Sequence, residues 1–200
     1  MEKIATKLSD YILRKNVITQ EMYEIYRYGF QVGIEVTLCT IVCLLIALLL
    51  GMFLEFIIFF AVFSAVRSYG GGLHMAHYRT CFVCSCMIEV VALLVAKYVV
   101  FTPFVSMFLI LVLSMMIGKI GIVPNHNRVT DEEDLVYFTK CLKRSLLIII
   151  LIGSIMIATK WNQYLSLLAV ALAINASSMV LGKIQYERIE KANSLYSSVK

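Results

Sequence analysis

Two hundred residues leave room for one domain or two small ones, but 60% apolar residues, a mean hydropathy of +0.85 and only 16% charged residues exclude an ordinary soluble domain. The net charge of +5 does not indicate a nucleic-acid partner, because the cations flank hydrophobic segments, where they orient helices and meet the anionic headgroups of membrane lipids. The composition is that of an all-α, polytopic integral membrane protein.

In chain order, residues 2–15 space Ile4, Leu8 and Ile12 four apart, with Lys3, Lys7, Asp10 and Arg14 on other faces. This predicts an amphipathic helix lying on the membrane rather than crossing it. No secretory signal peptide is expected, since the first thirty residues carry five basic and four acidic side chains and lack a short apolar run ending in small residues. Asn16 to Thr19 interrupt the helix, and a second helical stretch, rich in tyrosine from Tyr23 to Tyr28, leads into the membrane. Six spans of about 20 residues follow, at 29–50, 52–67, 81–101, 103–122, 144–160 and 163–182. Thr130-Asp131-Glu132-Glu133 reads as a capping box for a helix that runs through Lys143 into the fifth span. The chain is thus expected to form one membrane-embedded domain over 1–200. It comprises an amphipathic segment (1–28), a six-helix bundle (29–182) and a tail (183–200).

Sixteen of the eighteen Lys and Arg fall in the N-terminal segment, beside the 68–80 and 119–144 regions, and in the tail; Lys97 and Lys160 alone occupy the alternate gaps. The positive-inside rule places both termini and the 68–80 segment in the cytoplasm, with Trp161 at the outer interface. Cys39 and Cys43 fall inside the first span and Cys84 and Cys86 inside the third. Cys81 lies at a segment edge and Cys141 beside a basic cluster. These positions fit reduced thiols rather than a disulfide framework.

The chemistry concentrates in Arg67 to Ser85, which holds three glycines, two histidines and two cysteines between apolar runs. Gly70-Gly71-Gly72 should end the second span and admit close backbone approach. Thr80 is a natural N-cap, with Cys81 as the first helical residue. There the sulfur feels free amides and the positive helix end, with Arg79 two residues away, which together favour a nucleophilic thiolate. Cys84 and Cys86 lie deeper, in apolar surroundings. The partner base is less determined. His77, four residues before Cys81, faces it on a continuous helix, whereas a loop after the triglycine lets His74 fold back. Spacing leaves the two about even.

Arg67-x4-Gly-x-His-x6-Cys-x3-Ser, with Gly71 and Gly72 before Leu73, then His74, Cys81 and Ser85, resembles the accessory gene regulator B family of membrane endopeptidases that process quorum-sensing propeptides in Gram-positive bacteria. Chain length, spans and the amphipathic N-terminus agree, and Pro124-Asn125-His126-Asn127-Arg128 is similar to the family's polar loop. The resemblance implies that His74 and Cys81 are the catalytic pair, with no matching role for His77 or Cys84. It also implies a homodimer and, as substrate, a short amphipathic precursor peptide.

Arg67 either snorkels at the end of its span or holds a substrate carboxylate. Ser85 is expected to bond a carbonyl of its own helix. Glu89, a carboxylate inside a span, is expected to orient the site or pair across helices. Glu35 and Asn175 read as interhelical contacts and His126 as a solvated or capping residue. No metal or other cofactor is expected: His74, His77, Cys81 and Cys84 supply zinc-ligand types, but along a helix they spread over roughly 15 Å and match no common zinc pattern. The expected function is a cysteine endopeptidase that forms a Cys81 thioester and promotes thiolactone or lactone ring closure. Its rivals are a small transporter or channel lined by Glu35, Glu89 and Asn175, and a non-catalytic membrane partner of a sensor protein.

Overall fold

The computed structural model describes residues 2–73, 78–124 and 132–198, side chains at 78, 79 and 192–198 excepted. Among the described residues all regular structure is helical: α1 (Glu2–Arg14), a 3-10 turn (Gln20–Met22), α2 (Tyr23–Leu49), α3 (Phe53–Gly70), α4 (Tyr78–Tyr98), α5 (Pro103–Ile120), α6 (Glu132–Ala158) and α7 (Asn162–Ser198). Six of these, α2 to α7, are long and apolar enough to cross a bilayer, which bears out the six spans read from hydropathy.

α7 is the axis of the bundle. It touches α3, α4, α5 and α6, and 61% of its apolar stretch is buried inside the protein against 11% for the peripheral α2. Leu165, Leu168, Leu172, Ala176 and Met179, three or four apart, carry that burial. Around them pack Phe59 and Val66 of α3, Ile110 and Ile117 of α5, and Leu142, Leu146 and Ile149 of α6. A smaller cluster of Cys43, Ala47, Met52, Phe56 and Leu93 joins α2 to α3 and α4. Lipid tails are as apolar as these side chains, so close van der Waals fit rather than hydrophobic expulsion holds such contacts.

The polar signals shape the ends. α1 closes with Asn16 at φ +55°; the Asn16 amide donates to the Leu13 carbonyl at 2.9 Å and the Val17 amide to that of Ile12 at 3.0 Å. This left-handed cap turns the chain back. α1 then packs on α2, burying Ala5 and Ser9, and the Tyr23 hydroxyl donates to Asp10 at 2.7 Å. Ile4, Leu8 and Tyr11 stay exposed, free to enter a membrane interface. At α5, the Thr102 hydroxyl accepts from the Val105 amide and Pro103 occupies the first turn, where its missing N–H costs nothing.

Several boundaries differ from the sequence expectation. α3 continues to Gly70, α4 begins at Tyr78 and ends at Tyr98, and α7 runs past the expected span end at 182 and stays helical through the tail to Ser198. Hydropathy marks the apolar core of a crossing, whereas helical hydrogen bonding continues through the polar residues beyond it until glycine or a cap intervenes. Thr130 and Asp131 of the expected capping box lie outside the described residues; α6 opens with Glu132, Glu133 and Asp134, carboxylates that complement the positive helix end.

The loops sort to two ends of the bundle. At one, the Val123 amide donates to the Gly70 carbonyl at 2.9 Å and the Leu73 amide to the Ser178 carbonyl at 2.9 Å. At the other, the Phe101 amide donates to Ser166 Oγ at 3.0 Å and Gln163 Nε2 to Glu55 at 3.3 Å. The segment after α3, the segment after α5 and the later half of α7 therefore share one end, as an even number of intervening spans requires.

Candidate functional site

The triglycine is where the chain's own backbones meet. Gly71 caps α3 at φ +73°, its amide donating to the Arg67 carbonyl at 3.0 Å, and a Cβ there would sit 2.9 Å from the Val123 carbonyl oxygen. A Cβ on Gly72 would run into the Arg67 guanidinium, and one on Gly182 of α7 would lie 2.5 Å from the Gly72 carbonyl carbon and 2.7 Å from the Leu73 nitrogen. Helix α7 thus passes Gly72-Leu73 with no side chain between them. The close approach expected of these glycines is met by α7 and the Val123 segment.

Arg67, one turn before the end of α3, ties this junction together. Nη1 donates to Ser178 Oγ at 2.5 Å, and Nη2 donates to the Leu73 carbonyl. Ser178 Oγ also accepts from the Leu73 amide at 3.3 Å. Both terminal guanidinium nitrogens are engaged by the chain itself, an arrangement that neither snorkelling nor a substrate carboxylate anticipated. The carbonyl that Arg67 grips is the one leading into His74.

Cys81 is exposed and is the fourth residue of α4. Thr80 is accordingly the third residue rather than the cap, since nothing in Tyr78 or Arg79 stops a helix from starting earlier. Side chains on a helix lean toward its N-terminus, so the Cys81 sulfur lies over the first described turn of α4. The Arg67 guanidinium lies within electrostatic reach of the thiol. Cys84 and Cys86 are half-buried.

The other residues singled out in the sequence separate into two groups. Arg67, Gly71 and Gly72 gather at the α3–α7 junction. Ser85 and Glu89 instead face α2: Ser85 neighbours Cys39, and Glu89 neighbours Cys43. Glu89 is eight residues beyond Cys81, about 12 Å along the helix, too far to orient its sulfur. His74, His77 and His126 lie outside the described residues. The Asn175 amide donates to the Ala171 carbonyl of its own helix at 3.0 Å, and Gln31 donates to Glu35 within α2 at 3.1 Å.

Ser178 and Gly182 belong to this junction and escaped the sequence reading. Their signal is the small-xxx-small spacing that lets membrane helices approach closely.

Residues 1–181 match the family model described as Accessory gene regulator B. No curated protein and no solved structure matches the chain.

Proposed function

The chain belongs to the accessory gene regulator B family, and from that premise we propose that it is a membrane cysteine endopeptidase that processes a short amphipathic precursor peptide in quorum sensing. One observation supports this most: the exposed thiol of Cys81 overlies the first turn of α4, within reach of the Arg67 charge, and Arg67 in turn fixes the carbonyl preceding His74. In this reading Cys81 is the nucleophile, His74 the base, and Arg67 a positioning residue.

His74 takes the proton from Cys81, and the thiolate attacks a peptide carbonyl. The C–N bond breaks, the departing amine takes the proton from His74, and the N-terminal part of the precursor stays on Cys81 as a thioester. An internal thiol or hydroxyl of the peptide then attacks that thioester, closing a thiolactone or lactone and restoring Cys81. A thioester keeps the energy that hydrolysis would dissipate, so a site at the membrane edge serves the reaction by limiting water. The charge asymmetry supports a site and both termini on the cytoplasmic side of the cell membrane, and the family resemblance leads us to expect a homodimer.

The test is a trapped intermediate. Incubating the protein with a precursor whose internal nucleophile is replaced by alanine should accumulate an adduct that hydroxylamine cleaves and that Cys81→Ala does not form. The unaltered precursor should give much less adduct, because a held internal nucleophile reaches effective molarities of about 10⁵ M or more. Release of linear peptide only, with no adduct from either substrate, would remove the ring-forming step.

A further inference from the structure

Cys39 and Cys43, four apart on α2, and Cys86 and Glu89, three apart on α4, present their side chains to one another across the helix pair. The three sulfurs all lie within 4.8 Å of one another, with Cys43 Sγ and Cys86 Sγ 3.9 Å apart. Glu89 is 4% exposed, its carboxyl neighbours Cys43, and its Oε1 has no hydrogen-bond partner. A buried carboxylate oxygen left unpartnered inside a membrane bundle is costly; it neighbours Cys43, and the three converging thiols are the donors that a soft cation takes, with Glu89 one rotamer change from completing the set.

We propose that Cys39, Cys43, Cys86 and Glu89 form a closed site for a single thiophilic ion, zinc(II), that staples α2 to α4. Tetrahedral zinc with bonds of about 2.3 Å to sulfur sets its thiolates roughly 3.8 Å apart, close to the observed 3.9 Å between Cys43 and Cys86. Each thiol that binds gives up its proton to solvent. Copper(I) shares the preference for thiolates, but the carboxylate as fourth donor favours zinc. The sequence directed attention to His74, His77, Cys81 and Cys84 as the ligand types; the thiols that converge are different ones, brought together by helix register. The staple joins the peripheral α2 to the helix that carries Cys81, so it fixes α4 from the side opposite the α3–α7 junction. The site stands apart from the peptidase reading, and its test needs no cleavage assay.

Purified full-length protein in nanodiscs, reduced and loaded with zinc, should hold one zinc per chain by elemental analysis. With cobalt(II) in its place it should show the thiolate charge-transfer and d–d absorption of a tetrahedral ion. Cys43→Ala/Cys86→Ala should lose both signals, Cys84→Ala and Cys141→Ala should keep them, and Glu89→Gln should lose the tetrahedral cobalt spectrum. Footprinting the unaltered chain covers the case in which the double variant fails to fold. Zinc should protect Cys39, Cys43 and Cys86 from alkylation and leave Cys84 and Cys141 unchanged. Equal alkylation of the three thiols with and without zinc would overturn the site. One copper(I) per chain, with zinc excluded, would overturn the assignment to zinc.

Discussion

Cys81 and Cys84 share a helix and lie three residues apart, yet only Cys81 is exposed above the first turn of α4. Cys81→Ala should therefore abolish precursor cleavage, while Cys84→Ala should retain most of it, as measured by product formation in membranes. A dead Cys84→Ala would reverse the assignment of the nucleophile. The histidines make a sharper comparison, because spacing alone left His74 and His77 even and the family resemblance chose His74. His74→Ala should lower the single-turnover rate by about 10²–10⁴, the usual contribution of a general base, with His77→Ala near the unaltered rate. The opposite order would make His77 the base. Cys81 stood out in the sequence as the candidate because glycine, histidine, cysteine and serine stand at fixed spacings in one short stretch. The role of Arg67 did not, since its partners Leu73 and Ser178 include a residue 111 positions away.

The elements were legible to different degrees for a physical reason. A crossing helix must satisfy its own backbone and be apolar for about 20 residues, so hydropathy finds it; where it stops depends on caps and neighbours that hydropathy does not see. Helix α7 shows the difference. Its span was evident, but the bare contact between Gly182 and Gly72-Leu73 depends on how two distant segments meet. Gly182→Ala puts a methyl group against backbone that cannot rotate away, and overpacking of this kind costs about 1–3 kcal/mol. Thermal unfolding should show the loss, together with reduced cleavage as the Leu73 hydrogen bonds to Ser178 are displaced. Gly118→Ala in α5 is the contrasting case, because a Cβ there meets nothing within 4 Å. It should be neutral or stabilising by up to about 1 kcal/mol, the relief of glycine's chain entropy in a helix.

At the scale of the whole molecule, six crossings return the chain to the side on which α2 begins. The Arg67–Leu73–Ser178 junction, the Val123 segment and the departing half of α7 lie together there, while Lys97, Lys160 and Trp161 lie at the opposite end. With sixteen of the eighteen Lys and Arg on its side, the junction end is the one we propose faces the cytoplasm. A membrane-impermeant thiol reagent applied to intact cells should label Lys97→Cys and Trp161→Cys and leave Lys191→Cys unlabelled. Labelling of Lys191→Cys alone would invert the orientation and place Cys81 outside. Packing between spans was the part of the fold that sequence did not disclose: every face is apolar in a membrane helix, so periodicity no longer distinguishes the side that meets protein from the side that meets lipid.

The absence of any side chain between Gly182 and Gly72-Leu73 also makes α7 a stiff pushrod. It begins at Asn162 near the far surface, passes the junction at Ser178 and Gly182, and continues helical to Ser198. Side chains normally absorb small helix movements by changing rotamer, and at this contact there is nothing to absorb them. A helix longer than the local hydrocarbon tilts to fit a thinner bilayer, and a tilt of α7 moves the Leu73 carbonyl that Arg67 grips. Turnover should therefore peak at one acyl-chain length when the protein is reconstituted in lipids of graded thickness, with substrate affinity changing less than rate. A protein built this way would feel the thickness of its own membrane at the carbonyl that Arg67 holds.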